Sequence, residues 1–303
     1  MAEHTRVDEF LTSLIAICKP LDSFEMPLLD AHGATLSQDV FAGERLVMKA
    51  GSRIRSTQIG LAASIGLDHL PTRPHPRVVV MSAGPDLVEP GKTLKDDEEF
   101  ETNSWMLTTA VREVGAVAYR VHSIPDDEAQ LQNLIEDQLV RADLIIISGE
   151  RHDDSFDLIT RTISNMGEIT TVDMAIEMSG RHNFGLIGPD KTPIITLPGD
   201  PIAAYISFEL FVRPMIRTML GAATIHRPSV KAALEKPIAS SDGVRSYIRA
   251  VLAEDGKSVV PLEDQDEQST LSDANAFIAV SENDISLKTG DQVTVVVLER
   301  RYI

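Results

Sequence analysis

Three uninterrupted apolar runs, RVVVMS (77–82), DLIIIS (143–148) and PIITL (193–197), constrain this chain more than any other feature. Segments of helical period alternate with them: NSWMLTTAVREVG from 103, PDDEAQLQNLIEDQLVRA from 125, SFDLITRTISNMG from 155 and IAAYISFELFVRPMIRTMLG from 202. A strand without polar alternation must be covered on both faces, and the intervening helices supply the cover. The pattern predicts an α/β domain of three layers with a parallel sheet in the middle. Asn103 is expected to cap its helix and Trp105 to pack against the sheet. Ligands of such sheets sit at the carboxyl ends of the strands. Two turns leave that edge, SGERHDDSFD (148–157) and LPGDP (197–201).

The flanking segments read differently. Val7, Phe10, Leu11, Leu14 and Ile15 have helical spacing, and STQIGLAASIG reads as a second helix with Ser56 as N-cap and Gly66 as stop. PTRPHPR (71–77) has three prolines and reads as a linker. After Gly221 the runs VRSYIRAVL, KSVVPL, AFIAVS and DQVTVVVLER are short, β-rich and joined by turn residues, which predicts a small barrel or sandwich. The expected organisation is a helical segment over 1–75, an α/β domain over 76–222 and a β-barrel over 223–303. KDDEEFE (95–101) reads as a solvated loop.

Charge narrows the function classes. With 28 basic and 46 acidic residues the net charge is −18, which opposes nucleic acid and anionic membranes as partners. No apolar run approaches the roughly 20 residues of a membrane span, and no signal-peptide pattern opens the chain, so a cytoplasmic location is expected. Cys18, the one cysteine, lies in the apolar stretch LIAIC and reads as a buried side chain. His152, Asp153 and Asp154 are adjacent and cannot all face one metal ion, so no metal site is expected. Ser148-Gly149 lacks the G-x-S-x-G of a nucleophile elbow.

The order of AGSRIRSTQIGLAASIG, SAGPDLVEPG, NSWML, IPDD, DLIIISG, LPGDPIAAYISFELFVRP and LSDANAFI resembles the MoeA/gephyrin family, whose members insert molybdenum into molybdopterin. The resemblance implies a molybdopterin-binding-like three-layer domain, a C-terminal barrel and a homodimer. With the family's activity, the implied ligands are molybdopterin, molybdate and Mg2+. Several segments depart from the family pattern. The family's PPFDNSAMDGYA-type segment and its second, β-rich domain are missing near Phe41 and Ala42. The family's SGGVSVGDYD is SGERHDDSFD here, keeping Ser148, Gly149 and Asp157 but replacing a glycine by Glu150. KPGKP has become EMSGR, with Glu177 and Gly180 in the places of lysines. LPGNPVS has become LPGDPIA, keeping Pro198 and Gly199 but placing Asp200 for asparagine.

A unit charge about 4 Å from an anion is worth roughly 4 kcal/mol at an effective dielectric near 20, so exchanging lysine for glutamate turns attraction into repulsion of that order. Glu150, Asp153, Asp154, Glu177 and Asp200 are expected to converge on the sheet edge, with Arg151, Arg181 and His182 adding positive charge at other positions. On this reading Ser148, Gly149, Glu150, Asp157, Glu177, Gly180, Pro198, Gly199 and Asp200 form a vestigial pocket. The expectation is then a catalytically silent dimeric scaffold, without cofactor, that holds a protein partner. The likeness to gephyrin implies a peptide groove between the N-terminal helix and the last domain, with Phe10 on one side and Ser281 on the other. A peptide of the tubulin-like cell-division protein is one candidate. The alternative expectation is a molybdopterin molybdenumtransferase of molybdenum cofactor biosynthesis.

Overall fold

The computed structural model describes residues 5–84, 86–96, 98–121, 125, 127–149, 153–177, 179–265 and 268–299. Helix α1 (Val7–Ile17) buries Val7, Phe10 and Leu14. A small sheet follows, in the order Phe24–Pro27, His69–Arg73, Thr35–Leu36. It closes with α2 (Ser56–Ser64) over Leu36, Ile54, Ala62 and Leu70. Pro71, Thr72 and Arg73 therefore belong to a strand, and Thr72 is buried between Phe24 and Leu36 as its ladder partners. The linker shrinks to residues 74–76. Ser56 is the first residue of α2, while Arg55 takes the cap position and donates its N–H to Gln58 Oε1 at 3.2 Å. A hairpin pairs Val40–Ala42 with Arg45–Met48. Its turn needs the left-handed backbone of Gly43, at φ +60.

The central sheet contains β1 (Arg77–Ser82), β2 (Val117–Val121), β3 (Leu144–Ser148), β4 (Gly167–Asp173), β5 (Arg181–Ile187) and β6 (Thr192–Leu197). Its order is β4-β5-β6-β3-β1-β2. The apolar strands β6, β3 and β1 run parallel with β2, as their composition requires. The other two strands do not follow the expected parallel pattern. GEITTVD and RHNFGLI form antiparallel β4 and β5, which extend the sheet beyond β6. Short turns join β4 through β6, and so short a connection permits only antiparallel neighbours.

Period-2 alternation sends successive residues of β3 to opposite faces. Leu144 and Ile146 join Val78, Val80, Phe208, Phe211 and Ile216 under α1 and α3 (Asn103–Val114). Ile145 and Ile147 join Val79, Met81, Leu131, Ile135 and Ile159 under α4 (Glu128–Leu139) and α5 (Asp153–Ser164). Each such side chain contributes about 1.5–3 kcal/mol by leaving water, so both faces pin the register.

The long helical run after β6 is interrupted. It comprises α6 (Pro201–Ser207), a π turn at Phe208–Val212, and α7 (Arg213–Met219). Pro214 has no N–H for the carbonyl four residues back, and its ring crowds that carbonyl, so the helix widens by a residue there. The π turn carries Glu209, whose buried carboxylate accepts from Arg213 at 2.9 Å and Arg227 at 2.7 Å.

Beyond Arg227, β7 (Ser229–Leu234), β8 (Ser246–Leu252), β9 (Ser258–Pro261), β10 (Ala276–Val280) and β11 (Gln292–Val297) close a barrel in the order β7-β9-β8-β10-β11. Leu234, Ala250, Val259, Ile278 and Val295 fill it. Among the described residues no helix is long and apolar enough to cross a membrane.

Candidate functional site

Ser82 and Ser148 end the neighbouring strands β1 and β3 in direct register, so both hydroxyls leave the sheet on the face that α3 covers. Asn103, at the start of α3, reaches Ser148. It does not cap its helix. Its Nδ2 donates to Ser148 Oγ at 2.8 Å and to Gly199 O at 2.7 Å. Ser148 Oγ donates to Pro198 O at 3.1 Å, and Gly149 N to Leu197 O at 3.0 Å. The turn after β3, the LPGDP turn and the start of α3 are thereby laced into one edge. Asn103 Oδ1 and Ser82 Oγ are buried without a hydrogen-bond partner among the described residues. Each such atom costs about 1–3 kcal/mol unless a ligand or water meets it.

Glu101 does the capping. Its carboxylate accepts from Ser104 N at 2.7 Å and Ser104 Oγ at 2.6 Å, and it also takes Arg120 Nη2 at 3.1 Å. At 3% exposure Glu101 is no part of a solvated loop. Its charge favours the positive end of the α3 dipole. Arg120 also pairs with Glu89. Burial opposes the Arg120 charge, but the hydrogen bonds it donates to Glu89 and Glu101 outweigh it and hold the pKa above the usual arginine value. The guanidinium lies 4.3 Å over the Trp105 ring. Trp105 is 48% exposed, so it stacks on the surface and does not pack against the sheet.

The expected convergence of carboxylates is not found where it can be followed. Asp200 is the N-cap of α6, and Oδ1 accepts from Ile202 N and Ala203 N at 3.0 Å each. Asparagine has an oxygen for the same role. Glu177 faces the barrel, where Oε1 accepts from Ser241 Oγ at 3.1 Å and its N–H donates to Arg245 O at 3.0 Å. Asp157 lies 3.6 Å from Arg181. Gly180 has a left-handed backbone, φ +61, just before β5. Glu150, Arg151 and His152 lie outside the described residues, as do the side chains of Asp153 and Asp154. Among the described residues no group of three or more His, Cys, Asp or Glu is placed to hold a metal.

His182 adds no positive charge. The carbonyl of Thr196, 2.8 Å from Nδ1, can only accept, so Nδ1 carries the proton and Nε2 accepts from Ser179 Oγ at 2.8 Å. Desolvation lowers its pKa to about 4, which leaves the ring neutral.

Phe10 and Ser281 do not form the expected groove. Phe10 is 1% exposed, with ring contacts to Phe184 at 5.2 Å, Phe211 at 4.8 Å and His182 at 5.6 Å, so it belongs to the core and cannot grip a peptide. Ser281 Oγ accepts from Asn283 N at 3.3 Å. Beside it Glu282 pairs with Arg6 at 3.0 Å and Arg245 at 3.1 Å, while Arg245 also reaches Asp8 at 3.3 Å. These ion pairs bridge the space between the N-terminal helix and the barrel.

Comparison with known proteins places this edge in context. Residues 80–218 match the family profile described as "Probable molybdopterin binding domain", and residues 231–298 match "MoeA C-terminal region (domain IV)". The chain is 31% identical to molybdopterin molybdenumtransferase 1 of Mycobacterium tuberculosis over 277 residues, covering 88% of this chain and 65% of that protein. It is 32% identical to molybdopterin molybdenumtransferase 2 of the same organism over 272 residues, covering 87% and 66%. The chain thus spans about two thirds of the length of these relatives. A molybdopterin biosynthesis MoeA protein from Pyrococcus horikoshii shares the fold, with a TM-score of 0.83 at 19% identity, covering 98% of this chain and 100% of that one.

Proposed function

Because the chain belongs to the MoeA family, as a shortened member, we propose that it binds a molybdopterin-type ligand at the carboxyl edge of its sheet and takes part in molybdenum transfer to it. The observation that carries this reading is Asn103 Oδ1, buried without a hydrogen-bond partner among the described residues and fixed by the two bonds its own Nδ2 makes to Ser148 and Gly199. An acceptor held in place this way fits an N–H on the edge of a pterin ring. The nearby Ser82 hydroxyl can donate or accept. Preorganised polar groups in a matched fold are what a ligand edge requires. Calorimetric titration of molybdopterin into the wild-type chain and Asn103→Ala tests it. Binding is expected for the first and a loss of tenfold or more for the second. No heat with the wild type, together with failure to complement a molybdenum-insertase null strain, would sink the proposal.

A second reading, that of a silent dimeric scaffold, draws on Glu177 and Gly180, which leave no cation at two positions where the resemblance implies lysines. It draws also on the exposed cross-strand pair Phe41 and Leu46, at 54% and 44% exposure, on the hairpin where the family's second domain is missing. On that reading the partner is a protein, with the tubulin-like cell-division protein as one candidate. Its signature is direct binding of that protein with no titratable molybdopterin site.

A further inference from the structure

Three arginines converge on the junction between the N-terminal segment and the end of α7. Thr35 has Arg73 opposite it on one side and Arg53 opposite it on the other. Residues opposite one another in a ladder share a face, so both arginines stand on the face of Thr35. Leu36 and Ile54, the next residues along, turn to the core on the other face. Arg53 Nη2 lies over Gly33, 3.8 Å from where a side-chain carbon would stand. Arg73 donates Nη1 to Leu21 O and covers Gly221, where a side-chain carbon would lie 2.5 Å from its Nε. Arg217, in the last turn of α7, donates Nε and Nη2 to Thr224 O at 3.0 and 2.9 Å. Ala223 N joins the two units here by donating to Gly51 O at 3.0 Å.

Among the described residues none of the three has a carboxylate partner. Arg73 and Arg217 meet carbonyl oxygens, and the Arg53 guanidinium makes no hydrogen bond or ion pair. This runs against a composition of 46 acidic and 28 basic residues. Asp22 and Glu25, the acids nearest in sequence to Leu21, are exposed and pair with none of the three. The next guanidinium, Arg213, shares the single carboxylate of Glu209 with Arg227. Arg217 is accordingly held below the usual arginine pKa, first because burial opposes its charge and then because Arg213 and Arg53 repel it. Carbonyl dipoles orient these groups without neutralising them, so the junction keeps an excess of positive charge.

We propose that this junction binds a phosphate-class oxyanion, held between Arg53 and Arg73 on one side and Arg217 on the other. Guanidinium forks pair with two oxygens of one phosphate, and a dianion between them turns mutual repulsion into attraction toward a common centre. The anion thereby fastens the N-terminal segment to the α/β domain. The site is distinct from the edge at Asn103. Arg73 lies before the start of β1, whereas Ser82 ends that strand, and the strand between them is roughly 16 Å long. The anion is either free in solution or the phosphate group of an organic ester.

The test is calorimetric titration of the full chain with inorganic phosphate and, separately, with AMP as a phosphate ester. The proteins are wild type, Arg53→Met, Arg217→Lys and, as a control that removes a cation from α5, Arg161→Gln. Phosphate is expected to bind the wild type and the control equally, Arg53→Met at least tenfold more weakly, and Arg217→Lys at an intermediate level. Phosphate should also raise the melting temperature of the wild type and leave that of Arg53→Met unmoved. Without phosphate, Arg53→Met should melt no lower than the wild type, because an exposed side chain and one repulsion are removed together. A merely structural arginine would give the opposite. AMP binding with the same dependence on Arg53 assigns the site to phosphate esters, and binding of phosphate alone assigns it to the free anion. Absence of phosphate binding to the wild type overturns the proposal, as does equal affinity in wild type and Arg53→Met or an equal loss in Arg161→Gln. None of these outcomes bears on molybdopterin binding at the sheet edge.

Discussion

Glu209 holds Arg227 by two parallel hydrogen bonds, Nε to Oε2 at 2.7 Å and Nη2 to Oε1 at 2.8 Å. The first residue of the pair sits in the π turn of the α/β domain, and the second opens the approach to the barrel, where its Nη1 donates to Leu298 O at 2.6 Å. Burial opposes the arginine's charge, and the hydrogen bonds to Glu209 override it, holding the pKa above the usual range. Glu209→Ala strands Arg213 and Arg227 without their shared acceptor. The expected loss is about 3 kcal/mol in urea unfolding, because one partner of a buried pair has been removed. Glu209→Gln keeps the shape and should lose less. An alanine variant as stable as wild type would show that the clamp contributes nothing.

His182 sets a pH dependence. The folded protein keeps the ring neutral to about pH 4, whereas an unfolded chain takes up a proton near the ordinary 6.5. Its contribution is therefore full above pH 6.5, declines as pH falls, and is gone below about pH 4. The span corresponds to a contribution on the order of 3 kcal/mol. His182→Asn should flatten the stability profile between those limits while leaving other acid-labile groups untouched. Identical profiles for the two proteins would contradict it.

Cys18 should be silent toward thiol reagents. Burial pushes its pKa up to about 12, which removes the thiolate that reacts. Ellman's reagent is expected to label the native protein negligibly over minutes and stoichiometrically in urea. Fast labelling without denaturant would place the thiol at the surface.

Gly51 is a point of close backbone approach between the N-terminal segment and the chain just after α7. Its φ is +78, and a methyl group there would lie 2.8 Å from the backbone nitrogen of Ala223. Gly51→Ala combines a left-handed backbone with a backbone collision and should cost at least about 2 kcal/mol. Thermal melting distinguishes this from Gly60→Ala, where open space around the site predicts little change.

Much of the fold can be read in the sequence because β1, β3 and β6 are apolar on both faces, and only a three-layer arrangement can bury them. β4 escaped that logic. Thr170 and Thr171 are both exposed positions on an edge strand, and their pairing depends on β5 and not on an apolar run. The site was harder to read for a related reason. An asparagine at the start of a helix looks like a cap, and nothing local indicates that Asn103 reaches Ser148, 45 residues on, and Gly199, 96 residues on. Glu101 likewise sits in an acidic run in which Asp96 and Glu99 are exposed, and its bonds to Ser104 and Arg120 distinguish it. The carboxylates could be counted from the sequence. Where Asp200 and Glu177 point depends on a helix end and on the barrel, and neither is a property of the loop that contains them.

The turn at Gly43 and Glu44 leaves Ala42 and Arg45 as paired neighbours across a ladder. A chain that departs at one of these residues and returns at the other covers no net distance. A two-residue turn meets that boundary condition, and so does a folded module of any size whose own termini lie close together. Closing a longer loop adds only about 0.6 kcal/mol for each doubling of its length. Relatives of which this chain spans about two thirds can therefore differ from it in length at this turn without displacing the paired neighbours Ala42 and Arg45. At this one turn, molecular mass can change independently of the architecture.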